Sequence, residues 1–189
     1  MKIILLNGPA GVGKDTLGKI LFDKYMEAGH TVYHGEFKNG LRRVIKGMLS
    51  EYHYALFLKH SKCRVAKERP QEYLGGKSPR DFQIWVSEEV IKPTFGEDYF
   101  GKLALEYCRE AQETIGADVA IFTDSGFESE RAPLERNHAC FTVALHREGC
   151  TFEGDSRGYL RYPHLTATLS EGKPYEDATA IFDLLEKHQ

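Results

Sequence analysis

Nine residues near the start of the chain, Gly8-Pro9-Ala10-Gly11-Val12-Gly13-Lys14-Asp15-Thr16, carry the densest chemical information in the sequence. They satisfy the spacing G-x-x-x-x-G-K directly after an apolar run and directly before residues that recur at helical spacing. Glycines at 8, 11 and 13 allow a backbone, with Val12 between them, to turn its N–H groups inward and approach phosphate oxygens closely. A helix that follows presents its positive end to the same anion. The ammonium of Lys14 is spaced to reach the β- and γ-phosphates of a nucleotide such as ATP. The next residue is Asp15, and the hydroxyl that accompanies a magnesium ion in the common pattern appears one place later, at Thr16. Asp15 can hold the metal through water or orient an acceptor, and both roles stay open.

Other candidates lie further along. Asp124 stands at the end of the apolar run Val119 to Thr123, where a second strand can offer a carboxylate to the magnesium shell or start a loop with a capping group. The segment 146–164 holds Arg147, Arg157 and Arg161 among glycines, tyrosines and acids, and reads as a lid whose cations close over transferring phosphate. Arg80 and Gln83 share one face of a helix and suit an acceptor: a guanidinium can grip phosphate in bidentate fashion, and an amide can bond a base edge. Gly172 lies in a turn able to border the adenine through its backbone. His53, His60 and Cys63 lack the paired spacing of a zinc site, and Trp85 lies at core spacing on its helix.

The elements that must position these groups follow from periodicity. Residues 2–7 predict a buried strand, Lys14 to about Gly29 a helix, 31–33 a strand, and about 40–49 a helix. Residues 51–58 are aromatic and apolar, and the charge-rich 61–77 predict an exposed excursion ending at Gly75-Gly76. Ser78, Pro79 and Asp81 predict a capped helix start, with Phe82, Trp85, Val86 and Val90 on its core face. A helix over 98–115, a strand over 119–123, a short helix over 128–136, a strand over 140–145, and a last strand and helix complete the chain. Alternating strands and helices imply an α/β fold: a parallel sheet between helical layers, with its ligand site beyond the carboxyl ends of the strands.

The string G-K-D-T resembles the phosphate loop of phage-type deoxynucleoside monophosphate kinases, within the P-loop nucleoside monophosphate kinases. Three further stretches share the resemblance: an arginine just after Pro79 with a glutamine within a turn, Phe95-Gly96-Glu97-Asp98, and Thr123 to Glu130. The resemblance implies a P-loop NTPase three-layer fold, use of ATP and Mg2+, Arg147 and Arg157 bridging donor and acceptor phosphates, and Phe37 with Arg42 on the acceptor side. Ser125-Gly126 stands where the family often has a basic residue, and of an adenine-side asparagine and glycine only Gly172 persists. The related enzymes are often dimers, which makes a homodimer an expectation here.

Composition narrows the class. A chain of 189 residues with 41% hydrophobic content suits one full core, and we read a single domain over 1–189, with an acceptor region at 37–98. A net charge of −3 with mixed signs offers no basic stripe for a nucleic-acid backbone, so the expected partner is a small nucleotide. The apolar opening is too short for a membrane span, and no membrane partner is expected. Four scattered cysteines fit reduced thiols in a cytoplasm, the host's if the chain is phage-encoded. Two other readings use the same loop: a kinase for a modified base in DNA or a small metabolite phosphate, and a switch that binds nucleotide without transferring it. The absence of an N-K-x-D string weighs against a guanine-reading switch.

Overall fold

The structure is a computed structural model and describes residues 1–155 and 157–187. In chain order its elements are β1 (Lys2–Asn7), α1 (Lys14–Glu27), β2 (Val32–Gly35), α2 (Phe37–Met48), α3 (Glu51–Lys62), α4 (Pro79–Trp85), α5 (Lys92–Phe95), α6 (Tyr99–Ile115), β3 (Val119–Ser125), α7 (Glu128–Glu135), β4 (Ala139–His146), β5 (Leu165–Thr168) and α8 (Pro174–Lys187). They form two compact units, one from Met1–Phe37 and the described part of Gly101–Gln189, the other from Lys38–Phe100.

The first unit contains a five-stranded sheet in the order β2-β3-β1-β4-β5, parallel throughout. Strand alternation sends Ile4 and Leu6 to one face, against Leu17, Leu21 and Tyr25 of α1 and Ile181 and Leu185 of α8. Ile3 and Leu5 point to the other, against Ala104, Leu105 and Cys108 of α6 and Leu134 of α7. Both faces of β1 are therefore buried, and its near-continuous apolar run is what a central parallel strand requires. This is the α/β P-loop NTPase fold, with β1 delivering the glycine-rich loop at its carboxyl end. Truncating a fully buried side chain such as Leu5 would cost on the order of 2–5 kcal/mol.

The second unit is helical. Residues 51–62 form a regular helix, α3, capped by Ser50 Oγ, which accepts the His53 N–H at 3.2 Å. Glu51 opens this helix and Lys59, His60 and Lys62 close it, both favourable to its dipole. Residues 63–77 follow with two short 3₁₀ turns, Ala66–Glu68 and Glu72–Leu74, before α4. At α4 the expected cap is present: Ser78 Oγ accepts the Asp81 N–H at 3.1 Å and donates to Asp81 Oδ2 at 2.7 Å. The helix continues past Val90 through a π-helical stretch, Val86–Ile91, into α5, where Pro93 has no N–H to offer the preceding turn and the ladder is irregular. Phe82 and Val86 are buried, and Trp85 packs on Phe82 with centroids 5.6 Å apart. His53 stacks on Tyr73, and His60 Nδ1 lies 3.1 Å from the Tyr73 hydroxyl. No metal-binding group of three His, Cys, Asp or Glu exists among the described residues, and no described helix is long and apolar enough to cross a membrane. All four cysteines are free, with Cys108 and Cys140 buried.

Candidate active site

The glycine-rich loop enters α1 through Gly13, whose φ of 111° lies in the left-handed region, as does the φ of 80° at Gly11. Side-chained residues are strained in that conformation, which explains both glycines. Ser50 and Ser78 satisfy the first turns of α3 and α4 with their hydroxyls, whereas no side chain caps the first turn of α1. Its N–H groups are the ones a phosphate would satisfy. Lys14 folds back over the loop and donates to the carbonyls of Gly8 and Pro9 at 2.6 and 2.7 Å. Burial, and next the nearby Arg157 guanidinium, push the Lys14 ammonium down to about 8, against the opposing pull of Asp15, Asp155 and Asp124. Asp15 and Thr16 are exposed at the start of α1.

The carboxyl end of β3 is irregular. Leu5 of β1 pairs with Phe122, but Asn7 pairs with Ser125, so β3 carries one extra residue in the stretch holding Thr123 and Asp124. Asp124 accepts the backbone N–H of Phe37 through Oδ1 at 3.0 Å. It therefore caps the start of α2 rather than the helix that follows it in sequence, while its field reaches both Lys14 and Arg157. Phe37 is 4% exposed and its ring packs on Phe122 at 4.9 Å, which leaves almost no face for a base to stack on. Its place is the core, because the buried surface of β3 at Phe122 offers an aromatic partner.

Residues 157–161 of the lid segment are docked. Arg157 makes a bidentate pair with Asp155, Nε to Oδ1 at 3.0 Å and Nη2 to Oδ2 at 2.7 Å, which holds the guanidinium firmly protonated. Its aliphatic stem lies on Gly126, where an added Cβ would stand 2.8 Å from the stem carbons. Leu160 is buried, the Tyr159 hydroxyl donates to the Leu145 carbonyl at 3.0 Å, and Arg131 Nη1 donates to the Arg161 carbonyl at 2.8 Å. Arg161 thus contributes backbone here, at the rim near α7. A freely mobile cation at 157 is not what the structure contains; backbone and side-chain bonds strap this stretch to the sheet.

Arg147 is different. It lines a cleft of about 230 Å³ beside the loop, together with Val12, Gly13, Thr16, Leu169 and Gly172. The apolar walls and the turn at Ser170 to Gly172 suit a flat base whose polyphosphate runs toward Lys14. Asp177 of α8 secures that turn by accepting the Ser170 N–H at 2.7 Å. The Arg147 guanidinium lies 3.8 Å from Glu171, which is 92% exposed.

The remaining candidates belong to the second unit. Arg80 pairs loosely with Glu68 at 3.5 Å, and Gln83 Nε2 donates to the Pro79 carbonyl of its own helix at 3.1 Å. Arg42 Nη1 lies 3.5 Å from Asn39 Oδ1. These contacts are local and weak enough for a ligand to replace. Three residues of the first unit escaped the sequence reading: Asn7, Asp155 and Tyr159. For Asn7 a signal existed, a polar residue closing an otherwise apolar strand.

The residues present fit a nucleotide and its metal. Loop N–H groups and Lys14 match a polyphosphate, and the exposed Thr16 and Asp15 with Asp124 are the donors available to Mg2+. An ion so placed takes most of its ligands from phosphate oxygens and water.

No protein-family model and no curated protein matches the chain. Solved structures do resemble it. The Mycobacterium tuberculosis APS kinase CysC, as its Cys556Ala mutant, superposes with a TM-score of 0.50 at 18% identity, over 98% of this chain and 96% of that one. The same enzyme in complex with AMPPNP and APS superposes with a TM-score of 0.50 at 16% identity, over 98% and 97%. Shikimate kinase from Acinetobacter baumannii in complex with shikimate gives 0.50 at 15% identity, over 100% and 95%. At these identities the likeness is one of fold: the chain has the architecture of P-loop kinases.

Proposed function

We propose that this chain is a kinase that transfers the γ-phosphate of ATP, with Mg2+, to a small phosphorylated acceptor, a deoxynucleoside monophosphate. The observation that carries the kinase reading is Arg157. A switch needs a loop to hold polyphosphate, but a second cation fixed within electrostatic reach of the loop lysine serves charge that develops during transfer. The reaction is direct in-line attack by an acceptor phosphate oxygen on the γ-phosphorus, with the bond to the β-bridging oxygen breaking and no covalent enzyme intermediate. Lys14 and Arg157 stabilise the transferring group, Arg147 and Gly172 hold the base side of ATP, and Mg2+ neutralises phosphate charge when bound.

The deoxynucleotide part of the reading rests on the resemblance of G-K-D-T and of the Pro79-Arg80 to Gln83 helix start. Arg80 grips the acceptor phosphate, Gln83 addresses its base, and Arg42 adds charge. The solved neighbours, one complexed with APS and one with shikimate, carry acceptors of unlike chemistry on one fold, so the fold leaves the acceptor open. A coupled ADP-release assay with ATP and Mg2+ across deoxy- and ribonucleoside monophosphates tests both halves. Strong stimulation by one or more deoxynucleotides is expected. Nucleotide binding with no stimulation by any member of the panel would reject this acceptor class.

A further inference from the structure

We propose that Asn7 is a positioning residue for Arg157: its side chain, at the end of β1, clamps the backbone that follows Arg157 and so fixes where the guanidinium is held. Asn7 is fully buried and uses both ends of its amide. Nδ2 donates to the Ser125 carbonyl at 3.1 Å and to the Gly158 carbonyl at 3.0 Å, and Oδ1 accepts the Leu160 N–H at 2.8 Å. The extra residue in β3 makes this possible. Asn7 comes to face Ser125, and the Ser125 hydroxyl in turn donates to the Leu6 carbonyl at 3.1 Å.

Two of the three bonds from Asn7 reach the positions one and three residues beyond Arg157, on either side of Tyr159. The Gly158 N–H also points at the Gly126 carbonyl at 3.4 Å, and Gly126 gives the Arg157 stem its bed. A residue needed only to close a strand would need one bond. An amide that spends a donor and an acceptor on a loop distant in sequence determines where that loop runs. The amide carries donor and acceptor at two ends of one planar group, which neither an ionised Asp nor Leu offers, and which a short hydroxyl cannot span.

This inference rests on the kinase reading for its catalytic consequence but not for its geometry, and the test separates the two. In Asn7→Ser the Leu160 amide should lose hydrogen-exchange protection while the β1 amides of Ile4 and Leu5 keep theirs. With an accepted phosphate acceptor, kcat should fall about tenfold with the nucleotide Kd within about twofold, and the substitution should cost less than about twofold in an Arg157→Ala background. Tyr159→Phe removes only the bond to the Leu145 carbonyl, at a partly exposed ring, and keeps the test available if Asn7→Ser does not fold. It should shift the same readouts in the same direction by less. A protected Leu160 amide in Asn7→Ser, or an equal loss of rate with and without Arg157, overturns the proposal. Absence of transfer by the unaltered protein would reject the kinase reading, and the exchange measurement would still decide the geometry.

Discussion

Arg147 and Arg157 both follow β4, the first lining the cleft beside the phosphate loop and the second within electrostatic reach of Lys14, yet the chain treats them in opposite ways. Arg157 is held by a bidentate carboxylate that is itself only 12% exposed, lies on a glycine, and sits in a stretch bonded to β1 and β4. Arg147 borders an open cleft, 3.8 Å from a glutamate in water. Preorganisation matters most where charge changes during reaction, because a fixed donor does not reorganise at the moment of transfer. A base-side contact is the same before and after transfer, so it can be built loosely. Under the proposed function, the contrast would give Arg157 the reacting phosphate and Arg147 the resting part of the nucleotide.

The most severe way to break this division is to remove the cation both sides depend on. Lys14→Ala should abolish transfer, by about 10³-fold or more, while the fold remains, since among the described residues Lys14 bonds to carbonyls of its own loop. Wild-type-like turnover, measured by ADP release, would sink the assignment of the loop. Next comes Arg157→Ala, expected to lower kcat by about 10²–10³-fold with a much smaller change in KM for ATP. It also removes the guanidinium that pairs with Asp155, so a lower Tm should accompany it. A KM effect without a kcat effect would place Arg157 with ground-state binding and erase its difference from Arg147.

Much of this contrast was hidden from the sequence, for physical reasons. The loop Gly8 to Thr16 is legible because local backbone requirements write themselves as glycines in fixed places, and β1 and β4 because both their faces are buried. The cap at Ser78 is equally local. Arg157 and Arg147 look alike in sequence because what separates them is tertiary: Gly126, Asn7 and a one-residue irregularity in β3 decide which arginine is fixed. Phe37 misled for the same reason. Its aromatic ring suits a base as well as a core, and only the position of Phe122 chooses. Helix α3 was missed because its aromatic residues are spread around the helix, with Phe57 alone fully buried.

A pH titration of nucleotide binding sharpens the comparison at the phosphate side. In the ligand-free protein Lys14 loses its proton near 8, and a bound polyphosphate raises that value. Below about pH 7 the lysine is charged in both states, and affinity should be flat. Above 8 binding must take up a proton, so affinity should fall by up to about tenfold per pH unit. Calorimetry in buffers of different ionisation enthalpy should show the uptake, and Lys14→Ala should remove it. A flat profile to pH 9.5 would mean that Lys14 stays charged in the free protein and that burial and Arg157 press on it less than proposed.

The smallest effect falls on Arg147. An exposed guanidinium with a distant partner contributes on the order of 1 kcal/mol or less, so Arg147→Ala should raise KM for ATP by about two- to fivefold and leave kcat nearly unchanged. The donor base provides the discriminating control. If Arg147 covers the base in the cleft with Val12 and Leu169, the loss should shrink when a donor with a truncated base is used, because the contact is then already missing. If Arg147 instead swings onto the transferring phosphate, the loss should appear in kcat and be the same for every donor. That outcome would remove the division between the two arginines and make the loosely held one a second reacting-phosphate cation, positioned by the substrate rather than by the fold.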